Sequence, residues 1–343
     1  MRGVMDRVRE RFRARGARGG ARAAALAWCR GGEAQALAVA ADDRPAPFPA
    51  EAPFLIYSLG KTFTAALVLR LVDKGRLALD LPLARWLPAA PAAGRITLRQ
   101  VLQHTSGLGD YGGLAAYKDA VRAGAEPWPF EEFLARTDAD RLRFEPGAGW
   151  EYSNIGYMLL KRLLETIGEA PFRELVRREI AAPLGLARTF VPTTRADLAG
   201  LTFGPSRQVA GEVRERYHPG WVATGVVAAT APEAARFYDA LFAGTLVSPA
   251  SLAEMTAAVP VAVDPGGRPW WRYGYGLGLE IELDPAHGPR LGHTGAGPGA
   301  SAVAFHFPAA APAPLTVVAL TDGESVAQVE WTALALAEAL GAA

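Results

Sequence analysis

The chain has 343 residues, of which 50% are hydrophobic and 21% are charged, and its 36 basic and 35 acidic residues leave a net charge of +1. This composition is typical of a globular protein and excludes a disordered chain, a collagen and a coiled coil. The balanced charge gives no overall field that would attract nucleic acid or an anionic membrane, so neither is expected as a partner.

The first 50 residues predict a charged helix and then a β-hairpin. Arginine is frequent between Met1 and Arg30, and acidic residues interleave with it, which favours a solvated helix over a nucleic-acid arm. Two apolar runs, Ala23 to Cys29 and Ala36 to Ala41, flank Arg30-Gly-Gly-Glu33, and this pattern is typical of two strands joined by a tight turn.

Helical periodicity dominates from Ser58 to about Phe242, and short strands return after it. The helices include one with Phe63, Leu67 and Leu71 on one face, one that Thr97 caps, and one over Ile155 to Ile167. The later strands are predicted at Tyr275 to Leu283, Arg290 to Thr294, Ser301 to Phe307 and Leu315 to Leu320, before a helix from about Ser325. Strands at both ends with helices between them indicate an α+β fold.

The first candidate for chemistry is Tyr57-Ser-Leu-Gly-Lys61, at the start of an apolar helix. Ser58 and Lys61 are spaced to share one helix face, where their polar groups can meet. The helix N-terminus favours a serine alkoxide, and a desolvated lysine can supply the base that a serine nucleophile needs. An N-cap serine beside a solvent-facing lysine would give the same pattern, so this motif needs support from elsewhere.

The second candidate is the glycine-rich segment from Glu145 to Asn154, which leads into a predicted helix. The Tyr152 hydroxyl can donate a proton, or accept one if a nearby lysine lowers its pKa. The Asn154 amide can hold both a lysine and a substrate carbonyl. A packed aromatic ring and a helix cap are the structural alternatives for these two side chains.

The third candidate is the strand segment Leu291-Gly-His-Thr-Gly-Ala296, whose glycines permit close approach of a ligand backbone. A substrate that lay along this strand would gain main-chain hydrogen bonds, and one or both of His293 and Thr294 would border the cleft. A histidine with a purely structural role is the alternative.

Together and in this order, the three segments resemble the serine β-lactamase and penicillin-binding-protein superfamily, whose S-x-x-K and K-T-G motifs have mechanistic roles. Tyr152-Ser-Asn154 is similar to the Tyr-x-Asn element of class C β-lactamases and of the DD-peptidases and esterases related to them. Further similar segments are His104-Thr-Ser-Gly-Leu108, Phe144-Glu-Pro-Gly147, Asn154-Ile-Gly-Tyr157 and Tyr275-Gly-Leu-Gly278.

The resemblance extends from about residue 20 to the end and implies one catalytic unit over residues 1–343. Its antiparallel sheet would combine N- and C-terminal strands, flanked by helices, with the α/β part at about 1–75 and 265–343 and the helical part at about 76–264. Ser58 would be the acylated nucleophile, and Lys61 and Tyr152 the shared base and acid. The implied substrate-binding and oxyanion residues are Asn154, His293, Thr294, Gly295 and Ala296, with the backbone N–H groups of Ser58 and Ala296 forming the oxyanion hole.

Two departures from the family pattern bear on the substrate. His293 stands in place of lysine, and a histidine with its usual pKa of about 6.5 is only partly charged at neutral pH, so it would hold a substrate carboxylate less firmly. In addition, the apolar run Ala23 to Cys29 stops at Arg30 without a cleavage site, and no run approaches the roughly 18 apolar residues of a membrane span. We therefore expect a cytoplasmic protein that acts on an internal ester or amide.

The sequence thus predicts a serine hydrolase that cleaves an ester, amide or lactam bond of a small molecule or short peptide through an acyl-enzyme. No cofactor or metal is expected, because the five histidines and one cysteine lack metal-ligand spacing. An acyltransferase or peptide cyclase with the same acyl-enzyme stays open, as does a binding or sensor domain that acylates without turnover or is inert. Five aromatic residues could line a pocket, with ordinary core or surface packing as the alternative for each: Tyr111, Trp221, Trp270, Trp271 and Tyr273. The oligomeric state stays open.

Overall fold

The computed structural model describes residues 6–12, 20–42, 44–262 and 264–342. The basic N-terminal segment is helical over residues 6–12, and the remainder of the predicted charged helix lies outside the described residues. Val8 and Phe12 are buried in an apolar cluster that also contains the last helix of the chain, so this short stretch packs by its apolar side.

Ten strands occur in the part of the chain that the structure describes: β1 (Ala23–Arg30), β2 (Glu33–Ala40), β3 (Pro53–Leu55), β4 (Ala228–Thr230), β5 (Val259–Pro260), β6 (Tyr273–Tyr275), β7 (Glu280–Glu282), β8 (Arg290–Gly297), β9 (Ala300–Phe307) and β10 (Leu315–Thr321). Eight of them form one antiparallel sheet in the order β2-β1-β10-β9-β8-β7-β6-β5, and β3 pairs with β4 in a separate ribbon. Strands from both ends of the chain therefore share one sheet.

The α-helices in the described residues after residue 20 are α1 (Gly60–Asp73), α2 (Leu98–Leu102), α3 (Ala115–Ala123), α4 (Phe130–Arg136), α5 (Asn154–Gly168), α6 (Phe172–Val176), α7 (Val213–Arg216), α8 (Ala231–Phe242), α9 (Pro249–Thr256) and α10 (Val326–Ala339). Successive β1 residues alternate between the two apolar clusters: Ala25 and Ala27 pack on the side of α8, and Ala24 and Leu26 on the side of α10. Helices thus cover both faces of the sheet, which explains why β1, β9 and β10 are buried along nearly their whole length.

Helix α1 is central to the fold, because all ten residues from Gly60 to Leu69 are buried. A helix that is buried on every side lies in the interior of a protein and not on its surface. It carries Lys61 into the core, and it ends at Asp73, before the left-handed Gly75.

The α+β fold with an antiparallel sheet is confirmed, and so is the hairpin around Gly31 and Gly32. The single strand predicted over Tyr275 to Leu283 is wrong: it is the hairpin of β6 and β7, because Gly278 adopts a left-handed conformation between them. Within the described ranges, no helix is long and apolar enough to cross a membrane, and no group of three or more His, Cys, Asp or Glu side chains is arranged to hold a metal ion.

Candidate active site

Ser58 lies in the short 3-10 turn Tyr57–Leu59 that joins β3 to α1. Tyr57 has a φ of +46°, a left-handed conformation that is uncommon outside glycine. Its hydroxyl donates a hydrogen bond to the Pro298 carbonyl at 2.6 Å, and its ring fills the space beside Gly297. The loop between β8 and β9 therefore holds this strained turn, and with it Ser58, in place.

The Lys61 amine lies one helical turn after Ser58 and is only 2% exposed. Its Nζ is 3.2 Å from Ser58 Oγ and 2.7 Å from Asn154 Oδ1, and it lies 4.8 Å from the centre of the Tyr152 ring. Burial lowers the pKa of Lys61 to about 7, although the carboxylates of Asp110 and Glu280 oppose the shift. A large share of these amines is therefore neutral near pH 7 and can accept a proton.

Tyr152 follows the glycine-rich loop and is half-buried next to Ser58. Burial raises the pKa of the Tyr152 phenol well above its usual value, and a hydrogen bond with Ser58 opposes this shift only in part. The phenol therefore keeps its proton at neutral pH and can donate it.

Asn154 is the first residue of α5, and Ser153 caps this helix by accepting the Gly156 N–H at 3.0 Å. Asp110 fixes the same point from another loop: its carboxylate accepts the N–H of Asn154 at 2.8 Å and that of Gly112 at 3.0 Å. The sequence motifs did not point to Asp110. The available signal was its position two residues after the His104-to-Leu108 segment.

Strand β8 passes so close to the Ser58 turn that only glycine fits at position 295. A Cβ on Gly295 would lie 2.2 Å from the Ile56 carbonyl oxygen and 2.7 Å from Ser58 N. Strand β7 pairs with β8 only over residues 290–292, so across the described part of the sheet no strand covers that edge at residues 293–297. An extended substrate can add to such an open edge.

The His293 ring faces the interior and is 1% exposed. Nδ1 donates to the Thr294 carbonyl at 2.7 Å, since a carbonyl only accepts, and Nε2 accepts from the Tyr275 hydroxyl at 2.8 Å. Burial lowers the pKa of His293 to about 3. The ring is therefore neutral at neutral pH, whereas the sequence indicated partial charge, because the sequence pattern did not reveal its burial.

The Thr294 side chain points to the other side of β8, where it is 5% exposed. Its Oγ1 lies 2.9 Å from Glu280 Oε2 and 2.7 Å from Glu330 Oε1, and Arg268 pairs with both carboxylates. The structure thus brings Ser58, Lys61, Tyr152, Asn154 and the backbone of Gly295 together. It places the side chains of His293 and Thr294 beside this group, in the interior.

The aromatic residues considered for a pocket have different environments. Trp221 and Tyr111 are buried in an aromatic cluster with Tyr117 and Phe133. Trp271, in contrast, is 51% exposed and stacks on His287 with ring centres 3.8 Å apart. Trp270 and Tyr273 are buried and contact each other at 5.1 Å, and their polar atoms contact Glu330 and Glu280.

Residues 8–339 match the family model described as Beta-lactamase. Penicillin-binding protein 4* of Bacillus subtilis is 29% identical over 280 residues, which cover 76% of this chain and 59% of that protein. Esterase EstB of Burkholderia gladioli is 34% identical over 152 residues, which cover 41% of this chain and 38% of that protein. The chain thus spans less than two thirds of the length of both relatives. The crystal structure of a D-stereospecific amidohydrolase from Streptomyces sp. is similar with a TM-score of 0.81 and 25% identity, over 96% of this chain and 97% of that one.

Proposed function

This chain belongs to the beta-lactamase family, and we propose that it is a serine hydrolase that cleaves an ester, amide or lactam through an acyl-enzyme on Ser58. The observation that carries the proposal is the position of the buried Lys61 amine, within hydrogen-bond distance of both Ser58 Oγ and Asn154 Oδ1. A serine needs an adjacent base to attack a carbonyl at neutral pH, and an amine with a pKa of about 7 suits that role.

Acylation uses these groups in turn. Ser58 Oγ forms a bond to the substrate carbonyl carbon while its proton passes to Lys61 Nζ. The oxyanion accepts hydrogen bonds from the N–H groups of Ser58 and Ala296, and a donor of this kind stabilises the transition state by about 3 kcal/mol. Tyr152 then donates its proton to the leaving alcohol or amine and regains one from Lys61.

Deacylation repeats the steps with water as the nucleophile. Water loses a proton to Lys61, attacks the ester carbon of the acylated Ser58, and the Ser58 oxygen leaves with a proton delivered through Tyr152. Asn154 keeps the lysine oriented in both halves of the reaction, since its Oδ1 accepts from Nζ at 2.7 Å.

The neutral His293 supports a substrate without a carboxylate at the strand. Both ring nitrogens are occupied by Tyr275 and Thr294, so this ring supplies no positive charge to a carboxylate. We propose esters and amides that lack this carboxylate as the preferred substrates, which agrees with an esterase and a D-stereospecific amidohydrolase among the similar proteins.

The test is a substrate profile combined with labelling of the nucleophile. Nitrophenyl butyrate, D- and L-phenylalanine amide and nitrocefin are each assayed with the wild type, with Ser58→Ala and with the matched control Ser325→Ala, which removes a helix cap far along the chain. We expect turnover of an ester or amide, slower turnover of nitrocefin, and fluorophosphonate labelling at Ser58.

Ser58→Ala should abolish turnover and labelling, and Ser325→Ala should preserve both. If Ser58→Ala turned over a substrate at the wild-type rate, the proposal would be overturned. Added amines that capture most of the acyl group would indicate acyl transfer and would overturn hydrolysis as the main reaction.

A further inference from the structure

His104 is a fully buried histidine that the steps above do not use, and it lies against the tyrosine of the site. The centres of the His104 and Tyr152 rings are 4.4 Å apart, and the rings of Tyr275 and Tyr157 lie at 4.7 and 5.1 Å. Burial holds the pKa of His104 well below its usual value, and Lys61 lowers it further. The imidazole is therefore neutral.

His104 contacts the backbone on both sides of Tyr152. Its main-chain carbonyl accepts the Glu151 N–H at 3.0 Å, and its ring Nδ1 accepts the Ser153 N–H at 3.1 Å. The residues immediately before and after the tyrosine are thus both bound to one residue. This arrangement limits the positions that the Tyr152 ring can take relative to Ser58.

The same arrangement carries two energetic costs. His104 has a φ of +63°, in the left-handed region that non-glycine residues seldom adopt. Because Nδ1 accepts a hydrogen bond, the single proton of the neutral ring is on Nε2, and that buried atom has no hydrogen-bond partner in the described structure. Strain and an unsatisfied donor at one residue point to a functional constraint.

We propose that His104 is a positioning residue for Tyr152, which holds the phenol at the distance and angle needed for proton transfer in the acyl-enzyme reaction. This proposal rests on the hydrolase function above. His104 acts through the tyrosine and not on the substrate, because Nδ1 accepts the Ser153 N–H and Nε2 is buried away from solvent.

Three variants separate the parts of this role. In His104→Asn, the amide oxygen can occupy the place of Nδ1, and asparagine tolerates the left-handed conformation. His104→Phe keeps a ring beside Tyr152 but lacks the acceptor for the Ser153 N–H. His104→Gly suits the backbone conformation and removes both the ring and the acceptor, so it keeps the test valid if the phenylalanine variant does not fold.

We expect His104→Phe and His104→Gly to lower kcat between about tenfold and 100-fold with KM changed by less than about threefold, since misplacement of a reacting group acts mainly on the chemical step. His104→Asn should stay within about fivefold of the wild-type kcat, and added imidazole should partly restore His104→Gly. The rate of fluorophosphonate labelling at Ser58 should follow the same order without any need for a known substrate.

His306 is the matched control. It is also buried, its Nδ1 lies 2.9 Å from Thr316 Oγ1, and its ring stacks on Phe242 at 4.3 Å. His306→Phe should lower stability but leave kcat and Ser58 labelling at the wild-type level.

A wild-type kcat in both His104→Phe and His104→Gly would overturn the positioning role, and so would a His104→Asn variant as slow as they are. An equal loss of kcat in His306→Phe would overturn it as well. Failure of the hydrolase function has a different signature, since the wild type and Ser58→Ala would then label equally, and both proposals would fall.

Discussion

At the scale of single residues, Lys61 determines how the reaction should depend on pH. Its pKa is lowered to about 7, so the amine is protonated below that pH and free to act as a base above it. We therefore expect the rate of Ser58 acylation to fall about tenfold per pH unit below pH 7 and to level off above about pH 8. A pH series of fluorophosphonate labelling, followed by intact mass, measures this directly.

The variant Lys61→Arg tests the same point, because guanidinium stays protonated and cannot act as the base. We expect a loss of acylation of at least about 10³-fold at every pH between 6 and 9. Lys161→Arg is the matched control, since Lys161 pairs with Glu165 on α5 and should leave the pH profile unchanged. A labelling rate that is independent of pH in the wild type would contradict Lys61 as the base.

The sequence indicated part of this residue-level organisation. The spacing of Ser58 and Lys61 predicted a shared face, and the hydrogen bond between them at 3.2 Å agrees with it. The neutral state of His293 could not be predicted, because it depends on burial and on the Tyr275 hydroxyl from another strand. Motif spacing contains no information on desolvation.

At the same scale, Asp110 determines where Asn154 lies. Each of its two carboxylate oxygens accepts one backbone N–H, from Asn154 and from Gly112. In Asp110→Asn, the side-chain NH2 group would face one of these N–H donors and could not accept its hydrogen bond. A buried donor left without an acceptor costs about 1 to 3 kcal/mol of folding free energy. We expect kcat to fall about tenfold as Lys61 loses its anchor. Steady-state kinetics beside the exposed control Asp119→Asn would check this, and an unchanged kcat would count against it.

At the scale of elements, the contact between β8 and the Ser58 turn depends on one missing side chain. A methyl group at position 295 would meet the Ile56 oxygen at 2.2 Å and Ser58 N at 2.7 Å, so the strand or the turn must move. We expect Gly295→Ala to lose about 100-fold in kcat and about 1 to 3 kcal/mol in the free energy of unfolding.

Urea denaturation and labelling of Ser58 measure the two effects of Gly295→Ala. Gly94→Ala is the control, because a Cβ there would have no atom within 4 Å and the backbone has no left-handed φ. Gly295→Ala with wild-type labelling and stability would show that β8 does not fix the turn.

The elements that the sequence predicted best were those with local signals. Gly31 and Gly32 marked the hairpin, and Thr97 marked a helix start that has a full capping box. The pair β3 and β4 had no such signal, since three-residue strands at positions 53 and 228 gain their partners only from the tertiary fold. The burial of α1 on every side could not be predicted either, because it depends on which layers surround the helix.

At the scale of the whole molecule, the site combines segments from near both ends of the chain with segments from its middle. The Ser58 turn and strand β8 come from near the two ends, whereas residues 104–112 and 152–154 lie between them in the sequence. Pairing of β1 with β10 joins strands from nearly opposite ends of the chain. Order in the site therefore requires that distant parts of the sequence fold together.

Asp322, which follows β10, connects the two ends of the chain. One of its carboxylate oxygens accepts the N–H groups of Arg22 at 2.7 Å and Ala23 at 2.9 Å, and the side chain is 2% exposed. Asp322→Ala would leave these backbone donors without their acceptor, and each such loss costs about 1 to 3 kcal/mol. We therefore expect the free energy of unfolding to fall by about 3 kcal/mol in urea titrations, with an unchanged m-value.

The control is Asp119→Ala, at an exposed position, which should change the free energy of unfolding by less than about 0.5 kcal/mol. If Asp322→Ala proved as stable as that control, the association of β1 with β10 would have to depend on strand pairing and apolar packing alone.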